Sequence, residues 1–300
     1  MEKLVILFLI PISYFSFLIF AFAGETPKRI ISLAPNMTEI LFALGLGDRI
    51  IGVTKFCDYP EEAKKKPKVG GMSNPSIEAV VSLKPDIVVI TTDGNPKEFE
   101  ERLCSLGMKI YVFRTRRLHE LPQGIRDLGL ALGVKEKAET LAKGIEGTIN
   151  KLAVSSEQLI VSKNSKVKDS RLSTIDYRLT TQKNKVLFII WPEPLIVAGP
   201  GTAIDDAITL LGGENIASSA KPSYPKYSVE EIVHQSPDVI IIGEGHADMN
   251  MKEISSRLIK RLKSVPAVKN KKVCYMSDNL YRLGPRIIKG MEELSECLKK

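Results

Sequence analysis

Residues 76–90, "SIEAVVSLKPDIVVI", return at 228–242 as "SVEEIVHQSPDVIII", with Ser, Glu, Pro and Asp in the same places and no gap between the copies. Each copy reads as an N-cap serine, a short helix, a Pro-Asp turn and a strand apolar on both faces. Ser76 and Ser228 can accept hydrogen bonds from the orphan amides of the first helical turn. Ser228 with Glu231 also fits the S-x-x-E capping box. A continuously apolar strand next to an amphipathic helix is the mark of a parallel sheet covered on both faces. One such unit in the middle of each half predicts two related α/β lobes.

The flanking sequence extends the pattern in both directions. Before and after the first copy lie the β-branched runs "RIISLA" (29–34), "RIIGVT" (49–54) and "KIYVF" (109–113). Around the second lie "KVLFII" (185–190) and "KVCYMS" (272–277), with amphipathic stretches between the runs. Between the halves, Ala138, Leu141, Ala142, Ile145, Ile149 and Leu152 recur at helical spacing, which predicts one long helix. Residues 155–184 are polar, rich in Ser, Thr and Lys, and read as an exposed loop. The expected organisation is a first lobe over 24–118, a helical linker over 119–158, a polar insertion over 159–184 and a second lobe over 185–300. The fold class is α/β: two Rossmann-like lobes with central parallel sheets, joined by one long interdomain helix.

Residues 1–23 read as an export leader: Lys3, an apolar run and an A-x-A site at Ala21-Phe22-Ala23. The run is nearly long enough to span a bilayer, and an uncleaved anchor is the alternative. The formal charge is +8, but the basic residues are scattered, as on a solvated surface. With a leader present, nucleic acid is a poor partner, and a monomer outside the cytoplasmic membrane is expected. Four cysteines in an exported chain permit three pairings. Cys274 opens a late strand and Cys297 closes the helix returning along it, so these two form the expected disulfide, with four buried thiols as the alternative.

Ligands of parallel α/β sheets bind beyond the carboxyl ends of the strands. Two lobes facing each other would line one cleft with the loops at 34–38, 55–60, 70–74, 91–95, 191–202, 243–250 and 277–286. There is no G-x-S-x-G, P-loop or H-E-x-x-H motif, so catalytic and resident metal residues are expected to be none, and no intrinsic cofactor is expected. Of the three histidines only His246 falls in a cleft loop, where with a tyrosine it could complete the coordination of a chelated iron. Trp191, Tyr59, Tyr224, Tyr227 and Tyr281 lie near strand ends beside Pro and Gly, which suggests a wall for a large, flat, partly apolar ligand. Asp278 and Arg282 would add polar contacts there, or form a local ion pair. An enzyme on the same scaffold, chelatase-like or hydrolytic, is the competing class; it would need an acid–base pair converging in the cleft. A structural or signalling partner of a membrane protein would have an occluded cleft.

"RIISLAPNMTEILFALGLGDRIIGVT…DYP", "VGGMSNPSIEAVVSLKPDIVVI", "GGENIA", "YSVEEIVHQSPDVIIIG" and "LGPRII" together resemble the cobalamin and iron–siderophore branch of ABC-transporter solute-binding proteins, most closely its periplasmic cobalamin binders. The resemblance spans nearly the whole chain after the leader, apart from 155–184. It implies two lobes on a rigid interdomain helix, little hinge closure, and a metal chelate as cargo: cobalamin first, an iron–siderophore or haem next. It implies cleft contacts at Tyr59, Met72 with its neighbour Gly71, Trp191, Tyr224, Asp278 and Arg282. Cobalamin binders carry aromatic residues where Met72 and Tyr224 stand; Tyr224 keeps the ring and Met72 does not. It further implies that a glutamate from each lobe, here Glu78 and Glu230, docks on basic pockets of a membrane permease served by an ATPase. Each glutamate also favours its own helix through the macrodipole, worth about 0.3–1 kcal/mol.

Overall fold

The structure, a computed structural model, describes residues 26–164, 183–244 and 250–299. The expected leader lies outside the described residues. The first lobe runs β1 (Ile30–Ser32), α1 (Pro35–Ala43), β2 (Ile50–Val53), α2 (Ile77–Ser82), β3 (Ile87–Thr91), α3 (Lys97–Ser105) and β4 (Ile110–Phe113). Its sheet has the order β2-β1-β3-β4, with every pairing parallel. Helices α4 (Leu121–Ala131) and α5 (Lys135–Asn164) follow. The second lobe runs β5 (Lys185–Pro192), β6 (Leu195–Val197), α6 (Ala203–Leu210), β7 (Glu214–Asn215), α7 (Val229–Gln235), β8 (Val239–Gly243), α8 (Met251–Arg261), β9 (Val273–Met276) and α9 (Ile287–Lys299).

The two copies of the repeat are α2–β3 and α7–β8, and their parts coincide. The Ala79 amide donates to Ser76 Oγ at 3.2 Å and the Glu231 amide to Ser228 Oγ at 3.1 Å. Lys84 and Ser236, one step before each Pro-Asp pair, both take positive φ, 46° and 51°. Each aspartate then ties the turn to the strand that opens its lobe's core: the Lys28 and Arg29 amides donate to Asp86 Oδ2 at 2.7 and 2.9 Å, and the Lys185 amide to Asp238 Oδ2 at 2.9 Å. The Pro-Asp signature is thus a clamp as well as a turn. The reciprocal half of the capping box at Ser228 is not among the hydrogen bonds of the described residues.

Strand alternation divides the core into three. Val89 of β3, and Val186, Phe188 and Ile241 of β5 and β8, face inward to one apolar core shared by both lobes, which also holds Ile125, Ala138 and Ile145 of the linker helices and Ile287 and Leu294 of α9. Their strand neighbours, Val88 and Ile90 on one side and Leu187, Ile240 and Ile242 on the other, face two separate outer cores. Helices α4 and α5 form a hairpin in which a Cβ on Gly129 would lie 2.1 Å from that of Ala138, so only glycine allows this approach. Arg126 seals it from outside, donating to Glu139 at 2.7 Å and to both oxygens of Glu146 at 2.9 and 2.8 Å.

Two expectations change. Helix α5 runs to Asn164, into the stretch read as a loop, because no Gly or Pro between 153 and 164 stops it and serine alone is only a mild helix former; residues 165–182 lie outside the described set. The second sheet is mixed rather than parallel: after Pro192 the chain turns back, and β6 pairs antiparallel with β5. The expected pair Cys274 and Cys297 lies buried in the shared core, as does Cys57, and Cys104 is exposed.

Candidate functional site

The carboxyl ends of both sheets meet at one cleft of about 600 Å³. The first lobe contributes Phe56, Met72, Asp93, Thr115 and Arg116, from the loops after β2, β3 and β4. The second contributes Ile190, Ile204, Tyr224, Asp278, Tyr281 and Arg282. Asn95 holds the first wall: its amide group donates to the carbonyls of Leu33 and Met72, both at 2.9 Å, while its oxygen accepts from the Thr91 amide at 2.8 Å. One small polar side chain thereby fixes three loops. Across the mouth, the Tyr224 hydroxyl donates to Asp93 at 3.3 Å and links the lobes.

The joint beside the cleft is a charged cluster buried between the lobes. Arg282 Nη1 lies 2.6 Å from Asp58 and 3.1 Å from Glu39, and its Nη2 lies 2.6 Å from Asp278. Arg286 reaches both oxygens of Glu39, at 2.9 and 2.7 Å. The side chains of Arg282 and Glu39 are only 7% and 1% exposed. Burial opposes the charge on Arg282, but the Asp58 hydrogen bond and the charges of Asp278, Asp58 and Glu39 outweigh it and hold the pKa above the ordinary value. Burial likewise raises the Asp58 carboxyl, and the hydrogen bond and charge of Arg282 more than offset this, leaving it below the ordinary value. A second bridge has the opposite polarity: Arg117, entering the linker, donates through Nε to both oxygens of Asp206 in α6, at 2.9 and 2.8 Å.

Of the residues expected at the cleft, Met72, Tyr224, Asp278 and Arg282 line it. Asp278 and Arg282 combine the two readings open to them, since they pair with each other and also face the cleft. Tyr59 instead borders a separate depression, its ring under the Arg286 guanidinium at 4.7 Å. Trp191 packs on the outer core of the second lobe, with Nε1 donating to the Glu193 carbonyl at 2.7 Å. Strand alternation explains this: Ile190 faces the cleft, so its neighbour turns away. Gly71 is buried beside Asn74, outside the lining. His246 lies outside the described residues. Tyr281, named in the sequence only as one ring among several, lines the cleft with a buried hydroxyl that finds no partner among the described residues. Burial, then Asp278, pushes its pKa up. Gly243 makes room for it, since a Cβ there would sit 1.0 Å from the hydroxyl oxygen. Glu39 and Asn95 were missed; the only hint of Glu39 is a carboxylate inside the apolar run "MTEIL".

Residues 30–168 and 169–280 match the model of the periplasmic binding protein family. The chain belongs to that family. A vitamin B12-binding protein of Pectobacterium atrosepticum is 30% identical over 221 residues, 74% of this chain and 73% of that protein. Among solved structures, the periplasmic vitamin B12-binding protein BtuF of Vibrio cholerae superposes with a TM-score of 0.73 at 26% identity, covering 91% of this chain and 97% of that one. The periplasmic heme-binding protein RhuT of Roseiflexus sp. RS-1 gives 0.71 at 26% identity, covering 90% and 97%.

For a binding protein of this family the remaining question is which surfaces the fold leaves exposed. Glu78 and Glu230 stand exposed in the first turns of α2 and α7. Each of these helices leads through its Pro-Asp turn into a parallel strand. Its N-terminus therefore lies at the carboxyl end of its sheet, the end where the cleft opens. Glu78 accepts a hydrogen bond from its own backbone amide and another from the Ser76 hydroxyl at 3.0 Å, which hold its carboxyl below the ordinary value. Among the described residues no group of three or more His, Cys, Asp or Glu is placed to hold a metal ion, and no helix is long and apolar enough to cross a membrane.

Proposed function

We propose that the protein is the extracytoplasmic substrate-binding component of an ABC importer, capturing a bulky metal chelate and delivering it to the membrane permease. Cobalamin is the first choice, with an iron–siderophore or haem next. The observation that carries the reading is the cleft: about 600 Å³, mostly apolar in its lining, and held between the lobes by the buried Arg282 cluster. A preformed apolar cleft binds by burying ligand surface without a large ordering cost. The vitamin B12 and haem binding stated for the relatives favours a tetrapyrrole-like chelate over a small solute. The chelate is cargo: no bond in it is made or broken, and the protein needs no cofactor of its own. Residues 1–23 direct export and are removed, and the mature chain works as a monomer.

Titration calorimetry of the mature protein with cyanocobalamin, haem and several ferric siderophores tests this directly. One of them binds at micromolar affinity or tighter, and mass spectrometry recovers it chemically unchanged. If none binds, the cargo assignment fails; if the cargo is altered, the enzyme reading takes its place. Docking rests on Glu78 and Glu230. Replacing both with Ala abolishes most uptake into cells while cargo affinity stays constant, and unchanged uptake would remove the two-pronged docking model.

A further inference from the structure

Among the described residues few large apolar side chains stand in solvent, and two of them occupy the same place in the repeat. Val81 is 43% exposed and Val233 38% exposed. They lie three residues after Glu78 and Glu230, at matched positions of α2 and α7. Residues three apart on a helix share a face, so each lobe offers a carboxylate and a bare valine side by side. The buried positions correspond too: Val80 and Ile232, one step before each valine, are both 0% exposed and fasten their helices to the outer cores. A single exposed apolar residue needs no explanation. Two in register, each one helical turn from a carboxylate, do.

We propose that Val81 and Val233 are the apolar halves of two docking tips, and that the partner is the importer's membrane permease, presenting twice an arginine or lysine beside an apolar recess. This rests on the docking role of Glu78 and Glu230 and adds what the carboxylates alone lack. An ion pair on an open surface is worth little because water and salt screen it. An apolar side chain seated next to it excludes water from one side and strengthens the pair, as the rim of near-neutral contacts does around an interface hot spot. The valines set how long the complex lasts, and the carboxylates how fast and in what register it forms. The two tips are not identical. Glu231 flanks the second, where Ala79 flanks the first, so the second carries one more charge around the same pair.

The test uses the full mature protein and the permease–ATPase complex of its own importer, purified in nanodiscs, with binding followed by interferometry. The double variant V81S/V233S binds about tenfold more weakly or worse, mainly through faster dissociation. Its salt dependence is retained, and so is its calorimetric affinity for the cargo. The variant E78Q/E230Q loses binding together with the salt dependence. If the wild-type protein does not bind, or E78Q/E230Q binds as wild type does, the docking reading itself is wrong. If E78Q/E230Q fails while V81S/V233S binds normally, only the role of the valines is overturned. Sedimentation of both forms excludes the other occupant: a wild-type dimer that V81S/V233S dissolves would assign the valines to self-association and overturn the proposal.

Discussion

The two copies of the repeat agree wherever a side chain holds backbone, whereas the contacts between the lobes do not repeat. Ser76 and Ser228 cap, Lys84 and Ser236 turn, and Asp86 and Asp238 clamp the opening strand of their own lobes. Those tasks are the same in either lobe, so the same residue type serves. The joint between the lobes is built instead from unlike partners, each charge of one lobe meeting an opposite charge of the other. Glu39 and Asp58 of the first lobe meet Arg282 and Arg286 of the second, and Arg117 on the first side meets Asp206 on the other.

The largest effect expected is at that joint. Replacing Arg282 with Met removes the cation from a cluster in which Glu39 is almost fully buried, and a buried carboxylate left with less compensation costs about 3–5 kcal/mol. Urea denaturation should show it. Arg117→Met, at a bridge where more than a third of the arginine side chain is in solvent, should cost only about 1 kcal/mol. The two also differ with pH. Asp58 has a lower pKa folded than unfolded, because Arg282 outweighs its burial. Its contribution is complete above the unfolded value near 4 and is lost as pH falls through the lower folded value. Arg282→Met has already lost that contribution, so its stability should fall less steeply than wild type between about pH 4 and pH 2.

Next in size are the clamps. Asp86 accepts two backbone amides and Asp238 one. Asp86→Ala should cost about 1–2 kcal/mol and Asp238→Ala about 1 kcal/mol, the difference following the number of hydrogen bonds to a charged acceptor. Asp238 is the less exposed of the two. A reversed order in thermal unfolding would mean that shelter from water outweighs the extra bond. Ser76→Ala and Ser228→Ala should each cost about 1 kcal/mol, as N-caps do.

How far the sequence foretold all this follows the same division. The lobes, the strands and the caps were legible because each is a local pattern: a β-branched run, a serine before a helix, a Pro-Asp turn. Antiparallel β6 was hidden because "PLIV" has the length and composition of a loop, and its partner is set by the chain reversal before it. The loops that hold Met72, Asp278 and Arg282 could be placed at the cleft because they follow strands of known direction, while Met72 itself was singled out only by the family resemblance. Trp191 could not, since one residue of register decides which face of β5 it takes. Glu39 was illegible for a deeper reason: what makes it acceptable in an apolar helix is Arg282 and Arg286, more than two hundred residues later, and no local window holds both partners.

The smallest effect has the opposite sign and separates the two turns. Lys84 and Ser236 both sit in the left-handed region, where a side chain other than glycine costs about 1–2 kcal/mol. Replacing either with Gly removes that cost but frees the unfolded chain, so the gain should be about 0.5 kcal/mol or less. The surroundings predict which turn gains. The Lys84 side chain is exposed, and its backbone amide and carbonyl contacts, to Val81 and Arg29, survive the change. The Ser236 hydroxyl donates to the Val233 carbonyl at 2.8 Å, and Gly cannot. Lys84→Gly should therefore raise the melting temperature slightly while Ser236→Gly leaves it level. Equal gains would show that the hydroxyl contributes nothing, and that the two turns are alike after all in what fixes them.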